Sequence, residues 1–79
     1  MANVIIPVLG EKINKATVSF WFFKVGDQLK AGDDLVELAT DKTTFNLPSP
    51  VSGLLAKILC EEGSTVEVGQ TIAVINENK

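Results

Sequence analysis

The chain has 79 residues, of which seven are lysine, none is arginine and ten are acidic, for a net charge of −3. That balance argues against a nucleic-acid module, which needs a basic patch with guanidinium forks for phosphate and guanine. Histidine and tyrosine are absent and Cys60 is the only cysteine, which removes Ser-His-Asp and Cys-His pairs, histidine metal sites and an internal disulfide.

A chain this short is one domain, here taken as residues 1–79, and buries only about 60% of the surface that its unfolded form exposes. Such a domain displays or binds something rather than enclosing a deep pocket. Its 46% apolar content calls for a folded core. The longest apolar runs, such as Val4–Ile6 and Phe20–Phe23, fall far short of the ~20 residues of a membrane span. The start "MANVIIPVLGEK" lacks the basic head and longer apolar stretch of a signal peptide. The expectation is a soluble, cytoplasmic domain in which Cys60 packs as a small apolar residue.

In chain order, six segments rich in β-branched and aromatic residues read as strands: Val4–Pro7, Thr17–Phe23, Leu35–Thr40, Thr43–Leu47, Gly53–Cys60 and Thr71–Ile75. "KINKA", before the second, has room for at most a short helix, and no stretch keeps a 3.6-residue period over three turns. The second strand carries Phe20–Phe23, whose side chains must alternate faces, so at least one pair is partly exposed. Turn signals separate the segments: "VGD", "KAGDD", "SPVSG", "EEGS" and "EVGQ". Pro7, Pro48 and Pro50 stand at strand ends, where a missing N–H costs little. "VGDQLKAGDD" opens no helix and sets acids where a phosphate would sit, so its glycines are turn residues. Short strands and regular turns predict an all-β sandwich or flattened barrel.

The chain also repeats itself. "FFKVGDQLKAGDDLVEL" (Phe22–Leu38) overlies "LCEEGSTVEVGQTIAVI" (Leu59–Ile75) at an offset of 37, matching Gly26 with Gly63, Gly32 with Gly69, Leu29 with Val66, Leu35 with Ile72 and Leu38 with Ile75. "VIIP" (Val4–Pro7) echoes "FNLP" (Phe45–Pro48) at an offset of 41, which gives the first half about four extra residues in one loop. Two copies are too few for a solenoid. They predict an internal two-fold around one shared core.

Asp41 and Lys42 alone connect the third and fourth segments, a two-residue hairpin closed by Thr40 and Thr43. The favoured hairpin turns want glycine second, and lysine stands there, so a type I turn is the expectation. A local conflict of this kind marks a functional position. At offset 37, Lys42 lines up with Lys79. The two-fold would then set the displayed lysine at one end and the chain termini at the other.

At this point "TDK" (Thr40–Lys42), "LPSPVSG" (Leu47–Gly53), "PVLGEKINKATVSFWFFKVGD" (Pro7–Asp27) and "AGDDLVELATDK" (Ala31–Lys42), in this order and spacing, resemble the lipoyl domains of 2-oxo acid dehydrogenase acyltransferases, within the biotinyl/lipoyl attachment family. The resemblance runs from Val4 to Ile75. It implies two four-stranded antiparallel sheets related by a pseudo-two-fold (a barrel-sandwich hybrid), with lipoate in amide linkage to Lys42 and Asp41 and Thr43 as its turn neighbours. Thr43 departs from the small apolar residue common there, and Asn46 from a frequent glutamate.

The same resemblance implies a carrier domain of a longer multidomain chain rather than an enzyme, monomeric when isolated. A lipoate ligase or transferase would modify it. Surface lysines are protonated at neutral pH, so that enzyme would supply the base. A thiamine-dependent decarboxylase would acylate the arm, an acyltransferase core would pass the acyl group to coenzyme A, and dihydrolipoamide dehydrogenase would reoxidise the dithiol. Partner choice would fall to the longer loop of the first half, at Leu9, Gly10 and Glu11, with a buried loop anchor as the other reading of Leu9. Two alternatives stand beside this: an unmodified binding or assembly module, and a biotinyl carrier. Biotinyl hairpins flank their lysine with methionines, whereas the only methionine here is Met1.

Overall fold

A computed structural model of the chain describes residues 1–10 and 12–77. Eight strands form: β1 (Ala2–Ile5), β2 (Lys15–Trp21), β3 (Gln28–Leu29), β4 (Asp34–Ala39), β5 (Thr44–Pro48), β6 (Gly53–Ile58), β7 (Thr65–Glu67) and β8 (Thr71–Glu77). They make two four-stranded sheets, ordered β1-β8-β6-β3 and β5-β4-β2-β7, and every pairing is antiparallel. This is the all-β, two-sheet architecture expected above.

The six expected strands are β1, β2, β4, β5, β6 and β8. The two missed ones, β3 and β7, are too short to show an alternating pattern, and each buries a single side chain, Leu29 or Val66. No helix occurs among the described residues. The "KINKA" stretch instead runs into β2, because alternation sends Ala16 and Val18 inward and leaves Lys15 and Thr17 in water.

The two-fold is written into details finer than strand order. Exchanging β1 for β5, β8 for β4, β6 for β2 and β3 for β7 converts one sheet order into the other. Irregularities repeat as well: β2 shifts register against β4 between Val18 and Phe20, and β6 against β8 between Leu55 and Lys57, again 37 residues on. Gly26 and Gly63 turn with φ of 99° and 92°, and Gly32 and Gly69 with 94° and 89°, a region open to glycine at no steric cost.

One sequence expectation is corrected. Val36 pairs with Leu47, and its counterpart Ala73 pairs with Val4. The amide of Ser49 bonds to Asp33 O at 2.7 Å, and that of Ile6 to Gln70 O at 3.0 Å. Val4 therefore corresponds to Leu47 and Ile6 to Ser49, an offset of 43 rather than 41. Measured against 37, the first half carries six extra residues, all within the β1–β2 connection.

The inner faces meet in one core. Leu29 and Val66, Leu35 and Ile72, Leu38 and Ile75, and Val18 and Leu55 are two-fold mates, and all eight side chains are 0% exposed. Full burial of such a side chain contributes roughly 1.5–3 kcal/mol, so the repeat stabilises both sheets through one shared layer. Cys60 packs in this core as a free thiol. The aromatic run divides as alternation requires. Trp21 and Phe23 lean on the core, while Phe20 and Phe22 are 48% and 44% exposed and meet edge to face at 5.1 Å. Trp21 Nε1–H donates to Cys60 O at 2.9 Å, tying β2 to the loop after β6.

Candidate functional site

β4 and β5 pair in register from Ala39 opposite Thr44 down to Val36 opposite Leu47. Leu38 is fully buried, and Phe45 and Leu47 pack against the core. The hairpin base is thus held by the core, and the tip projects from it with Asp41, Lys42 and Thr43 exposed.

The Thr40 amide closes the hairpin on Thr43 O at 2.7 Å. Among the described residues only Lys12 combines a side chain with a positive φ, so neither Asp41 nor Lys42 has one. The turn is therefore of the ordinary negative-φ kind, as expected, and lysine fits where a mirror-image turn would have required glycine. Thr40 Oγ1 accepts from the amides of Lys42 at 3.3 Å and Thr43 at 3.1 Å, and it donates to Thr43 O at 3.0 Å. Sequence reasoning gave Thr40 only the closing role. Its hydroxyl is what grips the turn, and a threonine two residues before a turn amide is the signal for such a bond.

An open groove of about 500 Å³ runs beside the tip, lined by Lys12, Ile13, Asn14, Lys15, Ala16 and Thr17 together with Ala39, Thr40 and Asp41 of the hairpin and Thr65 of β7. The long loop thus reaches the hairpin, through residues later than those singled out from sequence. Leu9 is half-buried against the core, which is the anchor reading. Gly10 is exposed with φ of 148° and does not line the groove. Glu11, like Lys79, lies outside the described residues. Lys12, at φ of 69°, lines the groove instead. The described residues hold no His/Cys/Asp/Glu cluster able to bind a metal. No described helix is long and apolar enough to cross a membrane.

A rigid sandwich that holds one exposed lysine on a gripped turn is a display module, and comparisons with known proteins give it a family. The profile of the family Biotin_lipoyl, described as "Biotin-requiring enzyme", matches residues 2–75, and the chain belongs to that family. Within it the chain is of the lipoyl type. It is similar to the dihydrolipoyllysine-residue succinyltransferase component of the 2-oxoglutarate dehydrogenase complex of Staphylococcus saprophyticus, at 44% identity over 98% of this chain and 18% of that protein. Similarity to the dihydrolipoyllysine-residue acetyltransferase component of the pyruvate dehydrogenase complex of Acholeplasma laidlawii is also 44%, over 89% of this chain and 13% of that one. The chain therefore spans less than a fifth of these relatives. Among solved structures, the lipoyl domain of the 2-oxoglutarate dehydrogenase complex of Azotobacter vinelandii superimposes with a TM-score of 0.79 at 28% identity, covering 98% of both chains.

Proposed function

We propose that Lys42 carries lipoate in amide linkage, and that this domain presents the arm in turn to the components of a 2-oxo acid dehydrogenase complex. The observation that carries the reading is the exposed Lys42 at the tip of a core-anchored hairpin. Relatives that share this sequence are acyltransferase components of such complexes. The residues present fit the group: an accessible primary amine is what an amide linkage requires, and the tip leaves room around it.

Lipoate, when attached, supplies the redox and acyl-transfer chemistry. The protein holds the attachment point rigid, keeps it in water and offers a surface for recognition. On this reading the domain is a monomeric, cytoplasmic carrier without catalysis of its own, part of a longer chain. Tethering then gives each partner a high local concentration of the arm. Its partners are the decarboxylase, the acyltransferase core, dihydrolipoamide dehydrogenase and a lipoate ligase or transferase. Recognition falls to the groove side of the long loop together with Gly10, Glu11 and the part of Leu9 that its packing against the core leaves exposed.

The test is intact mass after incubation with lipoate, ATP and a lipoate ligase, followed by peptide mapping, with biotin and a biotin ligase run in parallel. One lipoyl adduct, on Lys42, is the expected result, and Lys42→Ala removes it while leaving thermal unfolding unchanged. A biotin adduct alone would shift the reading to the other cargo of this family. A folded wild-type domain that accepts neither would refute attachment and leave an assembly module.

A further inference from the structure

We infer that the hydroxyl of Thr40 is a positioning group for the modification of Lys42, setting the backbone from which the amine is presented. This rests on the attachment reading above. In an ordinary β-turn, the carbonyl of the first residue accepts the amide of the fourth. Here the amide of Thr43 donates instead to Thr40 Oγ1 at 3.1 Å, and the amide of Lys42 donates to the same atom at 3.3 Å. The hydroxyl proton goes to Thr43 O at 3.0 Å, and that oxygen also receives the Thr40 amide at 2.7 Å. A hydroxyl has one proton and two lone pairs, so all its hydrogen-bonding capacity is spent across this tip.

The consequence falls on Lys42. The amides before and after its Cα are bonded to one oxygen, which fixes the direction of its Cα–Cβ bond and leaves the side-chain torsions free. No other side chain among the described residues supplies this hold. Asp41 makes no side-chain hydrogen bond among the described residues, and the Thr43 hydroxyl turns away to Thr44 O at 3.3 Å. Thr40 is itself half-buried, next to Ala39, which pairs with Thr44 at the end of the ladder. The turn is thereby referenced to the core rather than to solvent.

In the modification, the Lys42 amine attacks the carboxyl carbon of a lipoyl-adenylate. The C–N bond forms, the C–O bond to AMP breaks, AMP leaves with the electron pair, and the amine proton passes to the ligase or to water. A ligase that must align this amine gains from a backbone already in place, because small misplacements of a reacting group cost large factors in rate.

Wild type, Thr40→Val, Thr40→Ser and Lys42→Ala would be compared for kcat/KM of lipoyl transfer from lipoate and ATP by a lipoate ligase. Amide order parameters at positions 42 and 43 would be measured by NMR alongside. Valine keeps the shape and β-branch, and serine keeps the hydroxyl. The expected result is that Thr40→Val is modified at Lys42 with kcat/KM lower by about tenfold and with lowered order parameters at both amides. Thr40→Ser should recover the rate to within about threefold. A merely structural side chain would not produce this rescue.

Should valine disturb folding, Thr40→Ala removes the hydroxyl without adding bulk beside the groove and carries the same comparison. Wild-type rate and order in the hydroxyl-free variant would overturn the inference, as would a serine variant as slow as valine. Failure of the attachment reading looks different. Wild type itself would then acquire no adduct at Lys42, while the order parameters would still report whether the hydroxyl holds the turn.

Discussion

Gly53→Ala separates what the repeat implies from what the packing dictates. The two-fold sets Gly53 opposite Ala16, which is buried without difficulty, and Gly53 does not have the positive φ of the turn glycines. On those grounds alanine should be tolerated, and the less flexible unfolded chain would even stabilise the domain by about 0.4–1 kcal/mol. Contacts say otherwise. A Cβ at Gly53 would lie 2.8 Å from Glu77 Cα and 2.9 Å from Asn76 C, and closer still to Asn76 O. These are backbone atoms of β8, paired with β6 at this point, and no side-chain rotation relieves them. Overpacking of this kind costs about 1–3 kcal/mol. At the middle of both ranges, the loss net of the unfolded-state gain is roughly 1–2 kcal/mol. For a domain of this size that lowers Tm by about 4–16 °C. Thermal and urea unfolding followed by circular dichroism would measure it. An unchanged or raised Tm would refute the reasoning, because the end of β8 would then be yielding at no cost. Lipoylation at Lys42 should survive in the folded fraction, since β4 and β5 are not among the atoms that the new methyl meets.

Gly32→Ala and Gly69→Ala should each cost about 1–2 kcal/mol, because both turns hold φ near 90° with open space around the missing Cβ; near-equal urea midpoints test the two-fold, and a large difference would count against it. Leu35→Ala truncates a side chain with 0% exposure and should cost about 2–5 kcal/mol, enough to leave a domain with so thin a margin largely unfolded by circular dichroism at 37 °C. A cooperative Leu35→Ala transition near that of wild type would mean that the two sheets can close over the gap.

Legibility in the sequence follows the physics of alternation. A strand long enough to alternate announces itself, so β2, β4, β6 and β8 were readable, and β3 and β7 were not. The match of Leu29 with Val66 paired the two positions without making either a strand, and only the family resemblance implied eight. The two-residue error in aligning Val4–Pro7 with Phe45–Pro48 has the same root. A one-residue slip turns every side chain to the other face, but a two-residue slip keeps each residue on its own, so pattern alone cannot choose between them. Only the ladder does, through Val36 with Leu47 and Ala73 with Val4. Lys42 was legible because a two-residue connection leaves so few places for a lysine to be. The hydroxyl of Thr40 was not, since composition says that a threonine suits a turn and not which amides it will hold. Leu9 could be read either way from sequence, and the structure shows it packed against the core while still partly exposed.

The two-fold also explains why the described residues hold one hairpin tip rather than two. Symmetry is kept where side chains meet in the core and lost on the outer faces. In one sheet Phe20, Glu37 and Asn46 stand in a row across β2, β4 and β5. Their mates across β6, β8 and β1 are Lys57, Val74 and Asn3. Only the asparagine recurs, because an outward side chain has no partner in the other half to agree with. The tip is the extreme case of that freedom. β4 must turn back to pair with β5, and Thr40 closes the turn. Yet β8, the mate of β4, pairs with a strand from the beginning of the chain and needs no hairpin there. The longer β1–β2 connection then lines a groove beside this hairpin through Lys12, Ile13 and Asn14. The repeat thus supplies the shared core, and the β4–β5 connection gives the described residues the one hairpin tip on which the proposed attachment falls.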